Sequence, residues 1–154
     1  MRYNAGIDDR ISKFHETELL KAVKNEDVQR VRELLENGAN PNLEFWIESQ
    51  ILMDDRVKIE KNCFSILNFI THHHNTQIAE LLLQHNAQVN LPNRSNWTPL
   101  HSACMNLNKP IADLLIANGA NTNALTDKYR ELGRPVTPQE VWANEEKIAA
   151  SMQR

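Results

Sequence analysis

The stretch that decides the fold of this chain is Trp97-Thr98-Pro99-Leu100-His101-Ser102-Ala103-Cys104. Thr98 can cap the start of a helix with its hydroxyl, and Pro99 suits the first helical position, where no backbone N–H is needed. Leu100, Ala103 and Cys104 then give this helix an apolar side with small groups, against which a second helix can pack closely. Gly119 is the kind of residue that ends a helix in a left-handed conformation. Together these features predict a hairpin of two helices.

This stretch resembles the T-P-L-H-x-A signature of the ankyrin repeat, whose period is 33 residues. Ala87 and Ala120, which follow the ends of two successive predicted helices, are 33 positions apart. The residues from Asn25 to Ala39 also resemble an ankyrin outer helix and its stop. The resemblance covers roughly His15 to Asn123 and is weaker in the terminal segment. It implies an all-α ankyrin-repeat solenoid of about three full helix-turn-helix repeats with N- and C-terminal capping segments.

On this basis we expect a single ankyrin-repeat domain over residues 1–154. Asn86 stands where a glycine is usual at the end of an outer helix, and Asn96 occupies a similar turn site, because asparagine adopts the left-handed conformation more readily than most residues. The predicted parts are an N-terminal cap (1–14), repeat 1 (15–42), an insertion (43–62), repeat 2 (63–90), repeat 3 (91–123), and a long finger with a degenerate C-terminal repeat (124–154).

The insertion breaks the regular spacing of the repeats. Ala39 and Ala87 are 48 positions apart, which exceeds the 33 positions between Ala87 and Ala120 by 15 residues. Insertions of this kind map to loops on one face of a solenoid, often the binding face. Phe45, Trp46 and Ile47 therefore either contact a partner or fold back over the array, and the sequence leaves both readings open.

The composition places limits on the function. Hydrophobic residues make up 41% of the chain, which is enough for a modest continuous core, and the net charge of −3 gives no support to a nucleic-acid footprint. The sequence has no apolar run of about 18 residues, as a membrane span would need, and no secretory signal at its start. Cys63 and Cys104 form no spaced framework, which favours a reducing compartment. We expect a cytoplasmic protein, with a nuclear location as an alternative.

The sequence contains no motif of enzyme or cofactor chemistry. We find no Gly-rich phosphate loop, no nucleophile elbow and no carboxylate pair at a spacing typical of acid–base catalysis. The run His72-His73-His74 matches no recognised zinc spacing, and successive helical residues point about 100° apart. We expect no enzyme activity, cofactor, metal ion or small-molecule substrate.

The resemblance implies a non-catalytic protein–protein interaction module that docks its partner along the concave face formed by the finger tips and inner helices. Trp97 is the expected aromatic anchor for the partner. We expect its replacement by alanine to lower the free energy of unfolding by less than about 1 kcal/mol. The alternative is that Trp97 packs only on its own finger. By alignment with the family, and from the insertion in the case of Trp46, the candidate binding residues are Arg94, Ser95, Trp97, Met105, Asn106, His72, His73, Lys128, Tyr129 and Trp46.

Two functions fit such a module. The first is a monomeric adaptor that positions a partner protein. The alternative is a competitive inhibitor of a signalling protein, since short arrays of this size resemble the NF-κB-inhibitor-like and kinase-inhibitor ankyrin proteins in organisation only. A microbial or viral effector that acts in the cytoplasm of a host cell is a third possibility. An adaptor binds two partners at once, whereas an inhibitor binds one.

Overall fold

The computed structural model describes residues 17–53, 56–127, 129 and 132–153, and for residues 46–53 and 56–62 it describes the backbone only. The predicted N-terminal cap, residues 1–14, lies outside the described residues, and so does Lys128. No helix in the described ranges is long and apolar enough to cross a membrane.

Three antiparallel helix pairs and one longer helix follow each other along the described chain, which confirms the predicted solenoid. The inner helices are α1, α3, α5 and α7, and the outer helices are α2, α4 and α6. Their bounds are α1 Glu18–Lys24, α2 Val28–Glu36, α3 Ile66–Ile70, α4 Thr76–Gln84, α5 Pro99–Met105, α6 Lys109–Ala117 and α7 Pro138–Met152.

Side-chain caps set the start of every one of these helices. Thr98 accepts a hydrogen bond from the backbone N–H of His101, the His101 ring accepts one from the N–H of Thr98, and Pro99 occupies the first turn, as the sequence predicts. The other inner helices begin at the hydroxyls of Thr17, Ser65 and Thr137, and the outer helices begin at Asp27, Asn75 and Asn108. A hydroxyl or amide at such a position satisfies backbone donors that the helix leaves unpaired.

The core runs through the stack between the inner and outer helices. Outer helix α2 packs on α4 and α4 on α6, while the inner helices α3, α5 and α7 pack in the same succession. Each outer helix buries its apolar stripe, and the inner helices bury Leu19, Leu67 and Leu100. The buried stripes consist of Val31, Leu34 and Leu35 in α2, Ile78, Ala79, Leu81 and Leu82 in α4, and Ile111, Ala112 and Leu115 in α6.

Asparagine side chains join successive repeats outside the core. The side-chain amide of Asn42 donates to the carbonyl of Asn86 at 3.1 Å and accepts from the N–H of Gln88 at 2.6 Å. One repeat later, Asn90 makes the same pair of bonds, to the carbonyl of Gly119 at 3.1 Å and from the N–H of Asn121 at 2.7 Å. The repeats are therefore tied by polar contacts that recur with the repeat period.

Asn86 and Asn96 adopt the left-handed conformation expected of them, with φ of 67° and 53°. Glu26 and Leu107, each in the turn between an inner and an outer helix, have φ of 54° and 50°. His74, which aligns with this turn position, is not among the left-handed residues. Helix α3 has five residues against seven in α1 and α5, so the turn that contains His74 is longer than the other two.

The predicted insertion forms a β-hairpin. Strand β1, Glu44–Met53, pairs antiparallel with strand β2, Arg56–Ser65, in a continuous register from Glu44↔Ser65 to Met53↔Arg56. The two-stranded sheet adds to the helical solenoid without replacing any repeat, and Ser65 both ends β2 and caps α3. We call the connection at 43–64 finger 1, the connection at 91–97 finger 2 and the connection at 124–136 finger 3.

Candidate protein-binding face

Finger 2 is a rigid turn that exposes two of the predicted residues. The side-chain oxygen of Asn93 accepts from the N–H groups of Ser95, at 2.9 Å, and Trp97, at 3.0 Å. Ser95 in turn accepts at its carbonyl from the N–H of Asp127 in finger 3, at 3.0 Å. Arg94 and Ser95 are exposed on this turn. They are held where a partner can reach them.

The base of finger 1 lies beside finger 2. Burial raises the pKa of the Cys63 thiol, the neighbouring Glu44 carboxylate raises it further, and the Arg94 guanidinium acts in the opposite direction. Arg94 therefore lies within electrostatic reach of the start of the hairpin. Trp46 belongs to β1, where its backbone pairs with Cys63. The part of Trp46 in partner binding stays a prediction.

The side chain of Trp97 contacts other parts of the array. Its indole N–H donates to the Ser102 hydroxyl at 2.8 Å, and its ring lies 5.3 Å from the ring of His101 and 5.8 Å from that of Tyr129, between centroids. The residue is half-buried against the hydrophobic core. This side chain joins finger 2 to an inner helix and to finger 3, so we now expect its replacement to cost more stability than the sequence alone suggests.

Tyr129 is 3% exposed, so its side chain is not available to a partner. Its hydroxyl donates to the carboxylate of Glu145 at 2.5 Å and accepts from the amide of Asn144 at 3.3 Å, both on α7. Its backbone bridges to Arg134. The prediction of Tyr129 as a contact residue is corrected, since the aromatic ring is used to fix finger 3 on the last helix.

The other predicted residues lie at the far ends of the inner helices. Met105 ends α5 and is 39% exposed, Asn106 caps that end, and His72 is exposed in the turn after α3. Partial burial of the ring lowers the pKa of His72, a hydrogen bond with Asn106 acts in the opposite direction, and His73 lowers it further. Met105, Asn106 and His72 thus form one neighbouring group on successive repeats.

The side chain of His73, in repeat 2, contacts a residue of repeat 1. Its Nδ1 lies 3.0 Å from the Glu26 carboxylate, and its ring lies 4.9 Å from the ring of Phe69. An open depression of about 530 Å³ is lined by Glu26, His72, His73, His74, Asn75, Thr76 and Gln77. The sequence offered no means to find Glu26, because 47 positions separate it from His73.

The predicted residues therefore form two groups. Arg94 and Ser95 lie at the fingers, and Met105, Asn106, His72 and His73 lie where the inner helices end. A seven-residue inner helix separates the two, which corresponds to about 10 Å at 1.5 Å per residue. Both groups are on the side of the array formed by fingers and inner helices, and a partner in contact with both would need an extended or broad surface.

Two titratable side chains near this face, Cys104 and His101, are buried. Burial raises the pKa of the Cys104 thiol to about 11, so that thiol is protonated and inert at neutral pH. Burial also lowers the pKa of His101, whose Nε2 donates to the carbonyl of Val136 at 3.2 Å. Among the described residues, no three His, Cys, Asp or Glu side chains are grouped so as to hold a metal ion.

Comparison with known proteins matches residues 19–126 to the family model described as ankyrin repeats in three copies. The chain is 31% identical over 128 residues to the rice (Oryza sativa subsp. japonica) BTB/POZ domain and ankyrin repeat-containing protein NPR3, over 83% of this chain and 19% of that protein.

Two fowlpox virus (strain NVSL) proteins are also similar. The chain is 33% identical over 97 residues to the putative ankyrin repeat protein FPV222, over 63% of this chain and 10% of that protein. It is 38% identical over 55 residues to the putative ankyrin repeat protein FPV231, over 36% of this chain and 21% of that protein. The chain therefore spans about a fifth or less of the length of these relatives. Since the family model covers most of its residues, this chain belongs to the ankyrin-repeat family.

Proposed function

We propose that this protein is a non-catalytic adaptor that docks a partner protein on the face formed by its fingers and inner helices. Ankyrin repeats are generally protein–protein interaction modules, and this family is typically non-catalytic. The proposal rests on the difference between the residues exposed on this face and those that form the core. Arg94, Ser95, Met105 and His72 are exposed on that face, while the core is complete without them.

The rigidity of the face supports a docking role. Finger 2 is held by Asn93 and by the bond between Asp127 and Ser95, so the exposed side chains lose little backbone entropy when a partner binds. The exposed thioether of Met105 is flexible and polarisable, which suits it to contact with apolar side chains of a partner. Arg94 is of a type enriched among residues that dominate interface energies.

The two described cysteines, Cys63 and Cys104, are free and buried. Unpaired thiols support a site of action in a reducing compartment, and we place it in the cytoplasm.

Affinity capture from a cytosolic extract, followed by mass spectrometry, tests the proposal. We expect the full chain to recover a protein complex in which at least two partners are present together, and we expect the variant Arg94→Glu/Met105→Asp to recover neither. The variant Arg32→Glu, which makes the same change of charge as Arg94→Glu at an exposed position on outer helix α2, is the control. If the chain instead recovers a single partner and displaces another ligand from that partner, the protein is a competitive inhibitor and not an adaptor.

A further inference from the structure

We propose that finger 1 binds an acidic, extended segment of a partner protein, which adds as a third strand along β2. This inference rests on the proposed function and names the kind of partner segment that the finger recognises. The repeats themselves do not need a finger of this length, since finger 2 connects the same kinds of helices with seven residues, 91–97.

The backbone of the hairpin is a regular template for another strand. Its ten pairs, from Glu44↔Ser65 to Met53↔Arg56, follow one another without a bulge. Ten residues at about 3.3 Å each extend about 33 Å. In the described part of the chain this sheet has two strands, so each strand has a neighbouring strand on one side only. Outward N–H and C=O groups on such an edge can pair with an extended peptide.

The hairpin is fixed to the solenoid at its base. The N–H of Ile66 donates to the carbonyl of Leu43 at 3.3 Å, and Ser65 caps helix α3. Phe45 is half-buried and meets Phe69 edge-on, with ring centroids 5.7 Å apart. An incoming segment therefore pairs with an edge whose direction is already set, which lowers the entropy cost of binding.

The net charges of the two strands indicate which edge an added segment pairs with and which charge that segment has. By sequence, the charged residues of β1 are Glu44 and Glu48, a net −2, whereas β2 has three bases and one acid, a net +2. The charged residues of β2 are Arg56, Lys58, Glu60 and Lys61. Residues directly opposite on paired strands lie about 5 Å apart, where opposite charges stabilise and like charges destabilise. A segment rich in Glu or Asp therefore fits along β2.

The same charges disfavour a second copy of this chain as the occupant. A two-fold symmetric pair of hairpins would align β1 with β1 or β2 with β2, because a symmetric interface uses the same surface twice. Either arrangement places strands of like net charge side by side. Arg94 of finger 2, within electrostatic reach of Cys63 in β2, adds positive charge near the same strand.

Fluorescence anisotropy with a labelled ten-residue peptide of alternating Glu and Val tests the proposal on the full chain at low ionic strength. We expect saturable binding, and we expect amide-hydrogen exchange of β2 to slow when the peptide is present. The same peptide with N-methyl groups on alternate residues should bind at least tenfold more weakly, because it cannot complete the ladder of backbone hydrogen bonds. The variant Arg56→Glu/Lys58→Glu, at positions that pair with the uncharged Met53 and Ile51, should lose about tenfold in affinity and gain affinity for the matching Lys–Val peptide.

Equal binding of the N-methylated peptide would overturn strand addition, since attraction between charges alone would then explain the result. Undetectable binding of the Glu–Val peptide, or a dimer of the chain that the Arg56→Glu/Lys58→Glu substitutions abolish, would also overturn it. Lys147→Glu, an exposed change on α7, is the control for loss of positive charge. Because the peptide replaces the natural partner, a negative result leaves the capture experiment and the proposed function unaffected.

Discussion

The indole nitrogen of Trp97 lies 2.8 Å from the hydroxyl oxygen of Ser102, and that hydroxyl lies 2.7 Å from the side-chain oxygen of Asn68 in the preceding repeat. The first hydrogen bond fixes finger 2 to inner helix α5. The second joins α5 to α3 through the fully buried Asn68, whose own Nδ2 has no partner in the described part of the chain. These three residues couple the fold of the array to the position of finger 2.

Replacement of Trp97 by alanine should lower the free energy of unfolding by about 2–3 kcal/mol, because a half-buried aromatic ring and a hydrogen bond are both lost. Trp97→Phe keeps the ring and should cost about 1 kcal/mol. Urea denaturation followed by circular dichroism measures both. A midpoint for Trp97→Ala equal to that of the parent would show that finger 2 does not depend on this side chain.

The bond between Ser102 and Asn68 should appear as a coupling free energy. Ser102→Ala leaves the buried amide of Asn68 without its partner, so we expect the single change to cost about 1–3 kcal/mol. In a double-mutant cycle with Asn68→Ala, the two changes should cost about 1 kcal/mol less together than the sum of the single changes. Costs that add to within about 0.3 kcal/mol would mean that this bond does not join the repeats.

Leu100 lies at the centre of the core and is 2% exposed. We expect Leu100→Ala to lower the free energy of unfolding by about 2–5 kcal/mol, since it removes buried methyl groups and leaves a cavity. Leu125→Ala is the matched control, because Leu125 is 57% exposed and its truncation should change stability by about 0.5 kcal/mol or less. Similar denaturation midpoints for the two variants would contradict the placement of α5.

His101 should make the stability depend on pH. Burial lowers its pKa in the folded protein below the ordinary value of 6.5. Between those two pKa values the unfolded chain binds more protons than the folded chain, so the free energy of unfolding rises with pH in that window and falls as the pH drops below about 6.5. The pKa of His72 is lowered as well and contributes in the same direction.

Denaturation midpoints measured between pH 7.5 and pH 5 check this prediction, with His101→Gln as the variant that should reduce the dependence. The Arg134 guanidinium lowers the pKa of Glu140 to about 2 from 4.5, so the stability from that pair is present above pH 4.5 and is lost only as the pH falls from there toward 2. The two effects occupy separate pH ranges. An unchanged pH dependence in His101→Gln would assign the effect to other groups.

The sequence predicted the repeats well because their physics is local. Caps such as Thr98 and turn residues such as Asn86 act within a few positions, and the apolar stripe of each outer helix follows the helical period. The hairpin escaped prediction since its strands lack a strict alternation of polar and apolar residues. The pairing of His73 with Glu26, and the enclosure of Tyr129 by α7, depend on contacts between distant segments that no local pattern encodes.

Trp97 shows the same limit within the candidate binding face. Its position in the signature placed it on a finger, but its surroundings are supplied by His101, Ser102 and Tyr129, and Tyr129 lies 32 positions further along the chain. An aromatic residue beside a repeat signature can equally contact a partner or bind its own repeat. The packing of finger 3 on finger 2 shows that Trp97 contacts its own array, and its part in partner binding stays a prediction.

We propose that a partner protein docks on the side formed by the fingers and the ends of the inner helices. Isothermal titration of a captured partner into the parent, Arg94→Glu/Met105→Asp and Arg32→Glu tests it most directly. We predict a loss of at least tenfold in affinity for the double variant, equal to about 1.4 kcal/mol, and no change for Arg32→Glu. Equal affinities for the double variant and the parent would contradict the claim and assign the docking site to another surface.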